Sequence, residues 1–354
     1  MPIAVKILQA DHGDAIAIRV TSSTGDSPYN ILIDGGPSSC FELDNGFGPE
    51  PGPLKRWLDS LCAKNQKVDL VVLTHVDDDH IGGLLRAYED NRYKEVFKNE
   101  IWFNSGKLIA KELCEDVPPN SDMMLNTSSG QYTSIGQGVT FDQRLNDWHK
   151  SRRQLVEAGQ KISFSHGTIR ILSPSKQSLK KLLKKWEREK PSDLTSTSND
   201  YEKSFLDLGK DDRFKEDAST PNGSSIAFLI ESGESKALFL GDALPSTICH
   251  SLDLLGYTEQ NPLKVKLCKV AHHGSKANLN EKLLSLIRAD QYVISTDGSR
   301  HGLPNKQALA RIRRFSPLSC ILFNYPKLID QILLPDELES NRNFFGSIVD
   351  EIVL

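Results

Sequence analysis

The stretch LTHVDDDHIGG, Leu73 to Gly83, sets two histidines and three aspartates directly behind the apolar run VDLVVL of residues 68–73. Adjacent carboxylates repel one another and favour solvent, so a plain surface loop is a poor account of them. A positive charge among them is a better one. VDLVVL is short, continuous and β-branched, which predicts a strand buried on both faces. It ends at Thr74, so the cluster falls on the loop leaving the strand's C-terminal end, where α/β architectures place chemistry.

The rest of the chain bounds what that loop serves. Its 354 residues, 38% hydrophobic and 25% charged, suit a globular protein with a sizeable core. The net charge of −4 excludes a global positive field for nucleic acid or an acidic membrane. Cys40, Cys62, Cys114, Cys249, Cys268 and Cys320 are scattered without a C-x-x-C pair. They read as free thiols in a reducing compartment, neither a disulfide frame nor a thiolate zinc site. No run approaches the roughly 20 apolar residues of a membrane helix, and the N-terminal segment has no signal-peptide core. The expected location is cytoplasmic, with no membrane partner.

Working outward, IAVKIL, AIAIRV and NILIDGG read as strands, and LKRWLDSLC as a helix burying Leu54, Leu58 and Leu61. The middle of the chain is less regular, apart from the strand-like GTIRILSP. Leu179, Leu182, Leu183 and Trp186 recur at helical spacing, giving a helix with a basic outer face. Order returns with two strands around a turn, SSIAFLIESGESKALFLGDA, the second ending in Gly241-Asp242. VKLCKVAHHGS runs into His272-His273, and QYVISTDGSRHG into His301. The two ends of the chain thus repeat one plan of strand, polar loop and helix. Two such halves facing each other make a layered sandwich with one shared active edge.

A lone loop histidine is more often a surface residue than a ligand, but four loops after buried strands end in Asp or His. They carry His75, Asp77, Asp79 and His80, then Asp242, then His272 and His273, then His301. Oxygen and imidazole donors without thiolates suit Zn²⁺, Mn²⁺ or Fe²⁺. There are enough for two ions with one bridging carboxylate.

T-H-x-D-x-D-H-I-G-G, a strand ending L-G-D, and V-x-H-H-G-S together resemble the metallo-β-lactamase fold. They are most similar to its branch containing the C-terminal domain of ComEC competence proteins and the phosphorylcholine esterases. The turn ADHGDAIAI is similar to that branch's G-Q-G-D-A, with Asp11 and His12 replacing Gly and Gln. The resemblance implies a four-layer αββα sandwich, one domain over 1–354 with insertions at about 85–165 and 176–220. It implies that His75 and Asp77 hold one metal, Asp79 and His80 the other, that Asp242 bridges, and that His273 completes a shell. His272 then faces the substrate, and His301 is a further ligand or an acid/base. The separate histidine that many such enzymes carry between the first cluster and the bridging Asp has no motif match here. His149 and His166 lie in that interval, and Asn222 stands where the branch has an Asn.

The expectation for function is a metal-dependent phosphodiesterase, foremost a nuclease acting on DNA or RNA in DNA processing or antiphage defence, with two Zn or Mn ions. Asp79, His272 and His301 are the expected catalytic residues. Arg311 and Arg314, on the helix NKQALARIRRF whose Ala308, Ile312 and Phe315 pack inward, are expected to hold backbone phosphates, with Asn222 also touching substrate. The alternatives are a small-molecule esterase of the phosphorylcholine type and a scaffold with a dead site.

Overall fold

The computed structural model describes residues 2–22, 25–44, 46, 48–97, 99–113, 134–148, 154–186, 199–210, 212–341 and 343–354. Arg152, Arg153, His149 and the segment 187–198 lie outside them. Two sheets carry the architecture. The first holds β1 (Ile3–Ile7), β2 (Ile16–Val20), β3 (Tyr29–Ile33), β4 (Leu70–Val72) and β5 (Glu100–Trp102). They lie in that order, with a short final strand, Ile352–Val353, outside β1. The second holds β6 (Lys161–Phe164), β7 (Gly167–Ser173), β8 (Ala227–Ser232), β9 (Ser235–Phe239), β10 (Leu263–Lys269), β11 (Ile287–Ile294), β12 (Cys320–Phe323) and β13 (Phe345–Ser347). They also follow chain order across the sheet, antiparallel from β6 to β9 and parallel from β9 to β13.

Side-chain alternation assigns the layers. Ile31, Ile33, Leu70 and Val72 join Phe228, Ile230, Phe239 and Leu267 in a core between the sheets. The intervening Leu32, Val71 and Leu73 face the other way, onto helices that include α1 (Pro53–Ala63), α2 (Asp78–Ala87) and α3 (Lys176–Trp186). Leu229, Leu238 and Val265 face a third core with α4 (Pro245–Leu254), α5 (Glu281–Leu286) and α6 (Lys306–Phe315). Three cores separate four layers, so the order is helix, sheet, sheet, helix. This is why VDLVVL is continuously apolar: each face of its strand meets a different core. Among the described residues no helix is long and apolar enough to cross a membrane.

The strands β3, β4 and β5 run parallel, as do β9 to β13, so the loops after β4, β9, β10 and β11 gather at one edge. Two backbone bonds join the halves there, Ile226 N–H to Thr74 O at 3.0 Å and Asp297 N–H to Asp11 O at 2.8 Å. Close approach is enforced by glycine. A methyl on Gly83 would sit 2.1 Å from Gly35 O, and one on Gly13 would sit 2.0 Å from Asp79 O. Neither backbone can retreat, because Gly83 N–H and Asp14 N–H donate across the same contacts, to Gly36 O and Asp79 O.

The helix α6 corrects one expectation. Arg311 and Arg314 do not share an open face. Arg311 is 3% exposed, and its guanidinium forks onto Asp212 (Nε to Oδ2, 2.8 Å) and donates to the carbonyls of Lys276 and Leu279. The reason is visible in the spacing: Arg311 stands three residues after Ala308 and four before Phe315, which places it on the inward stripe. The guanidinium in turn holds the Asp212 carboxyl below its ordinary value. Arg314 points outward and pairs with Glu281 at 3.1 Å. Removing one partner of a buried pair leaves an uncompensated charge, so Arg311→Ala is expected to cost about 3–5 kcal/mol. Arg314→Ala should stay within about 0.5 kcal/mol. Urea unfolding of both variants checks this, and equal midpoints would refute the assignment.

Candidate metal centre

The site begins with how its imidazoles are held. Asp34 is buried, with a left-handed φ of +56°, and accepts from Thr74 N–H, Thr74 Oγ–H and His80 Nδ1 at 2.7, 2.7 and 2.8 Å. Since Thr74 spends its proton on Asp34, its oxygen accepts from His75 Nδ1 at 3.0 Å. His273 Nδ1 donates to Ser295 O at 2.8 Å, and His272 Nδ1 to Asn278 Oδ1 at 3.0 Å. All four rings are therefore held through Nδ1 and turn Nε2 inward, the atom a metal would take. Metal-binding histidines are oriented in this way.

The inward nitrogens converge on Asp242, which follows β9 and is 2% exposed. Its Oδ2 stands 3.7 Å from both His75 Nε2 and His272 Nε2, and its Oδ1 3.6 Å from His80 Nε2. Asp77 Oδ2 lies 3.6 Å from His75 Nε2; Asp79 Oδ2 lies 3.7 Å from His80 Nε2 and 3.2 Å from His273 Nε2. Most of these spacings are too long for hydrogen bonds. They suit donors sharing an ion, which at metal–ligand bonds of about 2.0–2.2 Å stand roughly 3.4 Å apart. His75 Nε2, His80 Nε2 and Asp242 Oδ1 are moreover buried with no hydrogen-bond partner. Such atoms cost about 1–3 kcal/mol each unless something compensates them. The residues present fit a divalent cation.

Asp14, His80, Asp242 and His273 form the tightest cluster, with donor atoms all within 4.8 Å of one another. Asp14 enters it from behind His273, next to Nδ1 rather than Nε2, and its Oδ2 is bonded to Lys269 Nζ at 2.7 Å. We therefore read Asp14 as backing the His273 ring, and Asp79 as the carboxylate on the open side of it. Asp78 turns away to Gln137 at 2.6 Å.

A model of the Metallo-beta-lactamase superfamily matches residues 177–298, which include Asp242, His272 and His273. No curated protein matches this chain. Similar solved structures include the metallo-beta-lactamase fold protein YhfI from Bacillus subtilis, at 11% identity and a TM-score of 0.42, covering 100% of this chain and 99% of that one. Zn(2+)-bound PqqB from Methylobacterium extorquens is 11% identical with a TM-score of 0.43, covering 99% of each chain. A diphosphatase from the PhnP family is 9% identical with a TM-score of 0.41, covering 100% of this chain and 97% of that one. The four layers, the ligand-bearing edge and the family match agree. The fold is that of the metallo-β-lactamases.

On this metallo-β-lactamase scaffold the structure brings together His75, Asp77, Asp79, His80, Asp242, His272 and His273. Asn222 is buried; its Nδ2 donates to Asp217 Oδ2 at 2.7 Å, which makes it part of the wall beside His272. His301 sits exposed on the loop after β11, at a φ of +56°. Residues that sequence reasoning left out are Asn278 and Asp217, which flank His272, and Lys269, buried against Asp14. His12 is a fourth. Burial lowers its pKa, and the next influence on it is the Asp79 charge, which places it beside the cluster. A histidine where similar turns carry Gln was the available signal.

Burial opposes charge throughout, and close pairing overrides it. Burial pushes His273 down, yet Asp14, Asp79 and Asp242 lift it to about 10. His80 is held well above its ordinary value against burial by Asp242, Asp79 and Asp34. Burial pushes Asp79 up, but His80 and His273 hold it well below the carboxylate range. The proton on His273 stabilises the metal-free protein fully below the unfolded value of 6.5, and that stabilisation is lost as pH rises through about 10. A cation competes for the same lone pair, so its affinity should run the other way and climb with pH up to about 10. Calorimetry in buffers of different ionisation enthalpy should show proton release near neutrality. An affinity unchanged between about pH 6 and about pH 9 would contradict this account.

Proposed function

We propose that this protein is a metal-dependent phosphodiesterase with two divalent ions, Zn or Mn, acting foremost on nucleic acid. The observation that carries the dinuclear part is Asp242, whose two oxygens face different imidazoles, Oδ2 toward His75 and Oδ1, a buried atom without a partner, toward His80. Two ions would be shared as His75 with Asp77, and Asp79 with His80 and His273, Asp242 lying between. When bound, such ions supply Lewis-acid polarisation and an acidified water. Against their charge stand the three carboxylates Asp77, Asp79 and Asp242, which leaves one positive charge uncompensated. An anionic phosphodiester suits that balance better than a neutral carbonyl substrate does.

The chain's own contributions follow from exposure. Asp77, His272 and Asp79 are the open members of the set, their side chains 32%, 26% and 24% exposed, so substrate would approach from their side. Asp79, held ionised by His80 and His273, would orient the attacking water by accepting its hydrogen bond. The preference for polynucleotides rests on the resemblance to the ComEC domain carried by the H-x-D-x-D-H-I-G-G and H-H-G-S motifs. The same motifs support the second reading, a small-molecule esterase of the phosphorylcholine type.

Metal-loaded protein should hydrolyse bis-p-nitrophenyl phosphate together with single- or double-stranded DNA or RNA. Asp242→Ala should lose both ions and the activity. Asp79→Asn should lower kcat by about 10²–10³, the usual worth of one preorganised hydrogen-bonding group. Hydrolysis of the small diester alone would favour the esterase reading. No phosphodiester hydrolysis with either metal would overturn the proposal.

A further inference from the structure

The two sides of Asp242 are unequally served if the dinuclear reading holds, on which this inference rests. Asp79, His80 and His273 gather on one side, while His75 and Asp77 stand on the other. A histidine from the interval before Asp242 does not make up the difference among the described residues. His166 lies on the turn between β6 and β7, at the opposite end of the second sheet from the site, with Tyr29 and Phe164 around its ring.

We infer that His272 is the third protein ligand on the His75–Asp77 side, so that the adjacent histidines of H-H-G-S serve different ions. Its Nε2 lies 3.7 Å from Asp242 Oδ2, the same oxygen that His75 Nε2 approaches at 3.7 Å. Its ring is held from outside. Asn278 Nδ2 donates to Asp217 Oδ2 and to Asp242 O, both at 3.1 Å, which leaves Asn278 Oδ1 to accept the His272 Nδ1 proton. With Nδ1 engaged by Asn278, and Asn222 Nδ2 also 3.3 Å from it, Nε2 is the ring atom turned toward Asp242 and open to a metal.

The backbone carries the same message. His272 and His273 are both left-handed, at φ/ψ of 46/55° and 52/22°, and Gly274 follows at a φ of 88°. A non-glycine residue in that region costs on the order of 1–3 kcal/mol and persists only where its surroundings over-determine it. Here they do. His272 N–H donates to Gly241 O at 2.9 Å, and Ser275 N–H to His272 O at 2.9 Å. The twist sends neighbouring rings to different partners, His272 to Asp242 and His273 to Asp79.

Arg311 completes the device. Its buried guanidinium bonds the carbonyls of Lys276 and Leu279, on either side of Asn278, and reaches Asp212 on the segment that leads to Asp217. Asp217 N–H donates to Ala277 O at 3.1 Å. Both residues that flank His272 Nδ1 are thus pinned by one arginine, which acts as a positioning residue.

The test is ion counting with a spectroscopic readout. Metal-free protein is loaded with Mn²⁺, desalted and analysed for metal per chain and by electron paramagnetic resonance. Wild type should hold about two ions with the signal of a coupled pair. His272→Ala should hold about one, with the signal of an isolated ion, and added imidazole should restore the second. Circular dichroism and thermal melting report folding. Should His272→Ala fail to fold, Asn278→Ala keeps the ring but frees its Nδ1, and should weaken one ion about 10–100-fold while sparing the other. Two ions at wild-type affinity in His272→Ala, or two unaltered affinities in Asn278→Ala, would overturn the inference. A wild type that binds one ion would sink the dinuclear reading separately. His272 would then stand as a ligand only if its removal releases that ion, and retention of the ion would overturn the inference.

Discussion

Four imidazoles are held through Nδ1 from outside and turn Nε2 inward, three toward the buried carboxylate of Asp242 and the fourth, of His273, toward Asp79. Everything at the ligand-bearing edge depends on that arrangement. A ring free to rotate would turn toward whichever acceptor lay nearest, and the buried nitrogens would find partners. Here the acceptors behind the rings, Asp34 through Thr74 or directly, Ser295 O and Asn278, leave no such freedom. The bare atoms His75 Nε2, His80 Nε2 and Asp242 Oδ1 are the cost, each comparable to a lost buried hydrogen bond. A fold that accepts this at several neighbouring atoms has built a place for a cation.

The same constraint fixes how the sheets meet. Lys269 at the end of β10 is 1% exposed and bonds Asp14 from the turn between β1 and β2 at 2.7 Å. Burial pushes the Asp14 carboxyl up, but Lys269 and His273 hold it far below the carboxylate range. A buried pair of this kind adds little net stability relative to apolar packing, but a misaligned sheet would leave one charge unpaired. It sits directly behind His273, so sheet registry and ligand placement are one requirement. Lys269 also donates to Val270 O at 3.0 Å, tying the ammonium to the strand that delivers the histidine pair.

Legibility in the sequence followed the range of the interaction. The strands were readable because alternation within VDLVVL or NILIDGG reports two cores from a few adjacent residues. The candidate ligands stood out because two of the loops carry them in short runs, His75–His80 and His272-His273, and Asp242 follows a strand directly. Arg311 was misread because a charged residue was assumed to face water, although its spacing from Ala308 and Phe315 placed it inside. Asn278 and Asp217 were invisible for a different reason. Asp217 stands 55 residues before His272 and Asn278 only six after it, but no local pattern records an acceptor's direction. The Asp34 network is of the second kind: its grip on His80, 46 residues away, is purely tertiary.

With Arg311 occupied inside the molecule, recognition of the proposed phosphodiester would fall to whatever borders the open side of the cluster. Asp77 and Asp79 mark that side, since His75, His80, Asp242 and His273 are almost wholly buried. The turn carrying His12 and the loop carrying Arg300 and His301 meet beside it, through the bond from Asp297 N–H to Asp11 O. Asp79, Arg300, Asp297 and His273 all act electrostatically on His12, so these two segments and the cluster share one space. A cationic Arg300 there supplies local attraction that the net charge of −4 does not supply globally. Binding through so few positive groups favours substrates held chiefly at the cleaved linkage, and leaves affinity for a long polyanion to contacts made strand by strand.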